Sequence, residues 1–153
     1  MRGEDSLVKT GLPSPFFWIF RGIMTLQEYF HDVPGHGILA TANAQGQINM
    51  AMFARPHVMD DGLLAFIMPH RLTHANLQEN PNAAYLFWEE NAGYRGKRLY
   101  LTKVREEQDT DLLKSLRRRV YSPEKEKQTG PKFLVFFRLE KELPLIGTGE
   151  PAL

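Results

Sequence analysis

The chain has 153 residues, 42% of them apolar, enough for one domain with a sizeable core and too many for a disordered chain. Nineteen basic residues stand against 18 acidic ones, a balance that argues against a nucleic-acid coat protein. Cysteine is absent, which excludes disulfides, thiolate zinc sites and iron–sulfur clusters and fits a cytoplasmic protein.

No apolar run reaches the length that spans a bilayer. The longest near the start, Phe16 to Phe20, is bounded by Pro15 and Arg21 and lacks a cleavage site. Residues 1–23 mix turn formers with that single patch and read as a loosely attached extension, or as a segment preceding a start at Met24. A domain is expected over 24–146 and a short tail over 147–153.

Thr25-Leu26-Gln27-Glu28 is a capping box, followed by Tyr29, Phe30 and Val33 at the spacing of one helix face and closed by Pro34-Gly35. Gly37–Ala42 reads as a strand and Asn43–Gly46 as a hairpin turn. A second strand is expected over Gln47–Val58, leaving the regular ladder at Arg55-Pro56. Leu63–Met68 is nearly all apolar, as in a strand covered on both faces. A short helix is expected over Thr73–Asn80, then strands over Ala83–Trp88 and Leu99–Val104. Asp109–Tyr121 shows a helical apolar face at Leu112, Leu113, Leu116 and Val120. Ser122–Pro131 reads as a polar loop and Phe133–Leu139 as a sixth strand. Tight turns between strands imply antiparallel pairing, and six strands in so short a chain suggest a barrel or curled sheet with flanking helices.

Chemistry concentrates in Met68–Pro81. A helix start after a strand offers free N–H groups and the positive end of the dipole, and Arg71, Thr73 and His70 add donors, a reasonable phosphate cradle. The same residues also fit a plain capped helix, with Thr73 the cap, Arg71 solvated and Asn76 on the surface. His70 and His74 are four apart but have no third ligand in register, so no metal site is expected. Glu89 and Glu90 are strand neighbours and point to opposite faces, a poor acid–base pair. Lys114–Arg119 resembles a nucleic-acid patch. Acidic residues on either side, from Glu106 to Glu126, make a solvated helix face the expected reading. No nucleophile elbow or glycine-rich phosphate loop is present, so a cofactor that carries its own chemistry fits better than covalent catalysis, and no catalytic residue is assigned.

With its opening helix, the strands GILATANAQGQ and INMAMFARP, and above all the segment HRLTHANLQENPNAAYLF, the chain resembles the pyridoxamine-phosphate-oxidase-like FMN-binding split-barrel family over residues 25–146. The resemblance implies a six-stranded antiparallel split β-barrel, mainly β with flanking helices. It also implies a homodimer with FMN at the subunit interface. It places Met52, Phe53, Ala54 and Arg55 along the flavin ring and His70, Arg71, Leu72, Thr73 and Asn76 around the phosphate. Arg95 and Arg98 would approach the cofactor or the second subunit. Many members carry lysine where Thr73 stands, and pyridoxamine-phosphate oxidases carry arginine and histidine near a C-terminus that here reads ELPLIGTGEPAL. The resemblance therefore extends to fold and cofactor and not to vitamin B6 oxidation. The expected function is an FMN-dependent oxidoreductase, with a small molecule or NAD(P)H as donor. The alternatives are an FMN-binding electron carrier or sensor without its own substrate, and a barrel that has lost flavin and binds another ligand or only a partner. No nucleic-acid or membrane partner is expected.

Overall fold

The structure, a computed structural model, describes residues 24–147. The expected extension 1–23, and all of the expected tail except Gly147, lie outside the described residues.

Helix α1 (Leu26–Asp32) starts at the expected capping box: Thr25 accepts from the Glu28 amide and Glu28 reaches back to the Thr25 amide. Then follow β1 (Gly35–Ala42), β2 (Ile48–Met52), β3 (His57–Val58), β4 (Leu64–Pro69), α2 (Leu72–Glu79), β5 (Asn82–Glu89), β6 (Gly96–Gln108), α3 (Asp111–Leu116), α4 (Pro123–Thr129) and β7 (Lys132–Pro144). The strands form one antiparallel sheet in the order β2-β1-β5-β6-β7-β4-β3. No helix among the described residues is long and apolar enough to cross a membrane.

The strand count is seven, not six. The expected second strand breaks at Phe53–Pro56, so its two ends become β2 and β3 at opposite edges of the sheet. A flat sheet of seven strands would hold its edges roughly 29 Å apart. Five Cα steps from Met52 to His57 span at most about 19 Å. The sheet must therefore curl until its edges nearly meet, leaving a split bridged by four residues.

Inside the curl, Leu39, Phe66, Tyr85, Phe87, Leu99 and Phe137 are buried together with Tyr29 and Phe30 of α1. A second cluster joins Leu113 of α3 to Ala65, Leu134 and Phe136, so β4 and β7 are covered on both faces, as the apolar run at Leu63–Met68 suggests. α3 ends at Leu116 rather than Tyr121, because Arg117 pairs with Glu126 and Arg118 reaches back to the Arg55 carbonyl. The expected polar loop contains α4, capped by Ser122 with Pro123 in its first turn. α4 buries no residue, so it carries no apolar periodicity to read.

α2 is anchored to β6 through polar groups. His74 is 4% exposed; its Nε2 lies 2.7 Å from Glu106 Oε2, and its ring stacks on Phe133 at 3.9 Å between centroids. Gln78 and Lys103 donate to Glu106 Oε1. Burial alone would raise the Glu106 pKa; hydrogen bonds from Lys103, His74 and Gln78 overcome it and bring the carboxyl down to about 2.

Two outcomes follow. A Cβ on Gly96 would come within 2.0 Å of the Phe87 carbonyl oxygen, where backbone cannot yield cheaply. Gly96→Ala should cost about 2 kcal/mol or more; an unchanged urea midpoint would contradict this packing. Glu106 has a folded pKa below its ordinary 4.5. Its stabilisation is therefore present above pH 4.5 and lost as pH falls from there toward 2, an amount on the order of 2 kcal/mol. Stability of wild type and Glu106→Gln should converge over that interval; parallel acid profiles would show that the anchor contributes nothing.

Candidate functional site

A cleft of about 830 Å³ opens at the split. Its walls are the start of β1, the end of β2 with the bridge 53–56, the inner part of β4, the start of α2 and the segment 117–121 between α3 and α4.

The floor is aromatic. Phe53 meets Phe66 edge to face at 6.0 Å, and Phe66 packs on Tyr85 at 5.0 Å. Tyr85 crosses the interior above Gly37, where a Cβ would lie 1.9 Å from the phenol oxygen, and donates a 3.0 Å hydrogen bond to the Phe53 carbonyl. The missing side chain at Gly37 thus lets β5 hold the bridge in place. Burial pushes the Tyr85 phenol above its ordinary pKa, outweighing Arg118 and Arg55, so it remains a neutral donor.

One end of the cleft is the N-terminus of α2. Arg71 occupies the N-cap position in extended conformation and makes no side-chain capping bond. The first amides of α2 therefore lack the side-chain acceptor that Ser, Thr, Asp or Asn would supply. Thr73 is buried and accepts from Asn49 of β2 at 3.3 Å, tying α2 to the sheet edge. Along the opposite wall stand Arg55, His57 and Arg118. Arg118 donates to the Arg55 carbonyl at 2.9 Å. Burial, then Arg118 and Arg55, bring His57 down from its ordinary value to about 4, so its imidazole is neutral at pH 7. No aspartate or glutamate lines the cleft among the described residues.

Of the residues read from the sequence, Met52, Phe53, Ala54, Arg55, Arg71, Leu72 and Thr73 line this cleft together. His70, Asn76, Arg95 and Arg98 do not. His70 turns to the far side of α2, its Nδ1 2.6 Å from His74 Nδ1, beside a separate cleft containing Glu106. Asn76 does not line this cleft and is not a surface polar group: it is 3% exposed and donates to Thr41 on β1. Arg95 lies 3.7 Å from the buried Glu89, and Arg98 donates to the carbonyls of Pro144 and Gly147, fastening β6 to the end of the described chain. Glu89, the last residue of β5, is buried, whereas Glu90 lies in the turn after the strand and is exposed. No group of His, Cys, Asp and Glu able to hold a metal occurs among the described residues.

Sequence reasoning missed Asn49, His57 and the Arg117–Arg119 run, all of which line the cleft. The run itself was visible. The nearby acidic residues suggest a solvated helix face, but Glu106 and Glu107 are held by Lys103 and Arg105, and among the described residues only Glu126 pairs into the run, at Arg117.

No family model and no curated protein matches the chain. Solved structures do. An FMN-binding protein from Syntrophomonas wolfei subsp. wolfei aligns at TM-score 0.63 and 19% identity, covering 92% of this chain and 95% of that one. An F420 reductase aligns at TM-score 0.58 and 18% identity, covering 79% and 98%. A proposed pyridoxamine 5'-phosphate oxidase from Lactobacillus delbrueckii aligns at 0.55 and 16%, covering 79% and 93%. Curled antiparallel sheet, bridged split and structural neighbours agree: this chain has the split-barrel fold of the pyridoxamine 5'-phosphate oxidase-like proteins.

Proposed function

We propose that this chain is a flavoprotein that holds FMN in the cleft at the split and transfers hydride or electrons through it as a homodimer. The observation that carries this reading is the pairing, in one acid-free cleft, of an uncapped helix N-terminus beside Arg71 with an aromatic floor at Phe53 and Phe66. A mononucleotide with a planar ring needs both, an anion site for its phosphate and an apolar wall for its ring. The residues present fit the group. Arg71, Thr73 and the first amides of α2 would hold the phosphate; Met52 to Arg55 would flank the ring, with the Arg55 guanidinium as the cation for its electron-rich edge. The structural likeness to an FMN-binding protein and an F420 reductase supports the same reading.

When bound, FMN supplies the redox chemistry. The chain's part is to anchor, orient and keep water from the ring. A carboxylate acid–base pair is not required for that, and none lines the cleft. That feature also accommodates an electron carrier without a substrate of its own. Reduction by NADPH followed by turnover of an added acceptor separates the two.

The homodimer rests on the outer face of the β2-β1-β5 sheet. Ile48, Met50 and Met52 are 76, 70 and 64% exposed. Opposite them in register stand Ala42, Ala40 and Ile38, then Ala84 and Leu86. An apolar sheet face of this extent, running to the lip of the cleft, is what a second subunit would cover.

Absorbance of the purified protein, with mass analysis of any released molecule, tests the cofactor: protein that stays colourless after FMN is added and dialysed would refute it. Arg71→Ala should weaken FMN binding by about 1.5–3 kcal/mol, roughly 10- to 100-fold, read by quenching of flavin fluorescence; unchanged affinity would place the phosphate elsewhere. Met50→Asp should convert a dimer to a monomer in sedimentation analysis, and a wild type already monomeric at tens of micromolar would remove the interface.

A further inference from the structure

Behind the N-terminus of α2, away from the cleft at the split, two imidazoles face each other. His70 Nδ1 lies 2.6 Å from His74 Nδ1. His74 is fixed: it is 4% exposed, stacks on Phe133 at 3.9 Å and sets its Nε2 2.7 Å from Glu106 Oε2. His70 is exposed and belongs to the turn that ends in Arg71, whose amide bonds back to the Pro69 carbonyl. The His70–His74 bond therefore pins that turn to the body of the helix.

The hydrogens at this pin can be counted. The Glu106 carboxyl is held down at about 2, and a carboxylate only accepts, so His74 Nε2 keeps its hydrogen. The two Nδ1 atoms then share one hydrogen, given by either ring to the other. One positive charge on the pair leaves that bond intact. A second charge puts a hydrogen on both Nδ1 atoms, and two N–H groups cannot face each other at 2.6 Å.

We propose that His70 and His74 are a proton-sensitive positioning pair for the phosphate end of the cleft: the second proton parts them, frees the turn at Arg71 and weakens the hold on the anion. This rests on the flavin reading above and adds a regulation of the same site. From β6, Glu106 and the Lys103 paired with it act on the two rings; from α4, Lys127 does. β7 contributes the uncharged Phe133, while Lys132 and Arg71 line the opposite cleft. Glu106 is the one carboxylate beside the pair among the described residues. The sign separates this device from plain electrostatics. A positive charge added behind α2, roughly 10 Å from an anion at its front, tightens binding by about twofold at most through water. Misaiming Arg71 acts the other way, and because its bond to a phosphate is charge-assisted, the loss is the larger effect.

The test measures FMN affinity by quenching of flavin fluorescence across pH in wild type, His70→Asn and His70→Ala. NMR of the ring nitrogens in wild type locates the interval in which the pair takes its second proton. An asparagine amide takes the place of Nδ1 and donates or accepts without titrating. The phosphate of FMN protonates alike in all three proteins, so it cancels in the comparison. Through that interval wild type should lose at least about threefold more affinity than His70→Asn, and above it His70→Ala should bind at least about threefold more weakly than wild type. The proposal is overturned if either difference is missing or reversed, or if the pair takes no second proton while the protein is folded. If FMN binds at no pH, the flavin reading is lost, and the amide signals of Arg71, Leu72 and Thr73 decide the pair. Shifts through the interval in wild type that are absent in His70→Asn support it; the same shifts in both proteins, or none in wild type, overturn it.

Discussion

The structure depends on a length constraint: two edges of a seven-stranded sheet are tied together by Phe53–Pro56. Those four residues run between β2 and β3, outside any ladder, so their polar groups need other partners. Three of them are met in ways that shape the cleft. The Phe53 amide donates to Gly37, the Phe53 carbonyl accepts from Tyr85, and the Arg55 carbonyl accepts from Arg118. Pro56, fully buried, has no N–H to satisfy. The split is thus a gap in the hydrogen-bonded wall, held open by side chains from β5 and from the segment after α3. A ligand there meets backbone and aromatic surface that a closed barrel would hide.

Electrostatics sharpen this geometry. The chain is almost neutral overall, yet its charges are sorted. Glu106, Glu107, Glu140 and Glu142 are each paired with a neighbouring cation on β6 or β7, away from the split. Their hydrogen bonds hold Glu107 and Glu140 below the usual carboxylate range. Arg55, Arg71, Arg118, Arg119 and Lys132 line the cleft, where no carboxylate competes. Coulombic interaction in a partly enclosed cleft exceeds its value in open solvent, so a weak net charge conceals a strong local field.

Much of this was legible in the residues. The capping box, the apolar β4 run and the basic turn after it follow from local rules, and seven of the eleven site residues share one cleft. What was not legible depends on tertiary contacts. Arg117–Arg119 carry helical propensity, but ion pairing and the bond to Arg55 draw them out of α3 toward the split. α4 has caps and no apolar face. Asn76 looks solvent-seeking in a helix until Thr41 on β1 is brought beneath it. β6 and β7 run to 13 residues each because they pair with one another along nearly their full length, across two register shifts, a non-local fact invisible to a window of neighbours.

The turn before α2 unites anchoring and binding. Arg71 is extended, so consecutive residues there diverge to opposite sides of the chain. His70 goes to His74 and, through it, to Glu106 on β6; Arg71 goes to the cleft. The N-terminus of α2 has no side-chain cap of its own, and its orientation comes from this polar relay together with Thr73–Asn49 and Asn76–Thr41. A capping Ser or Asp at position 71 would stabilise the helix locally and occupy the amides that an anion would use. Placing the stabilising contacts on side chains other than the N-cap leaves those amides available. His70, although it points away from the cleft, therefore belongs to the same design: it helps hold α2 in place while the cap position is given to an arginine.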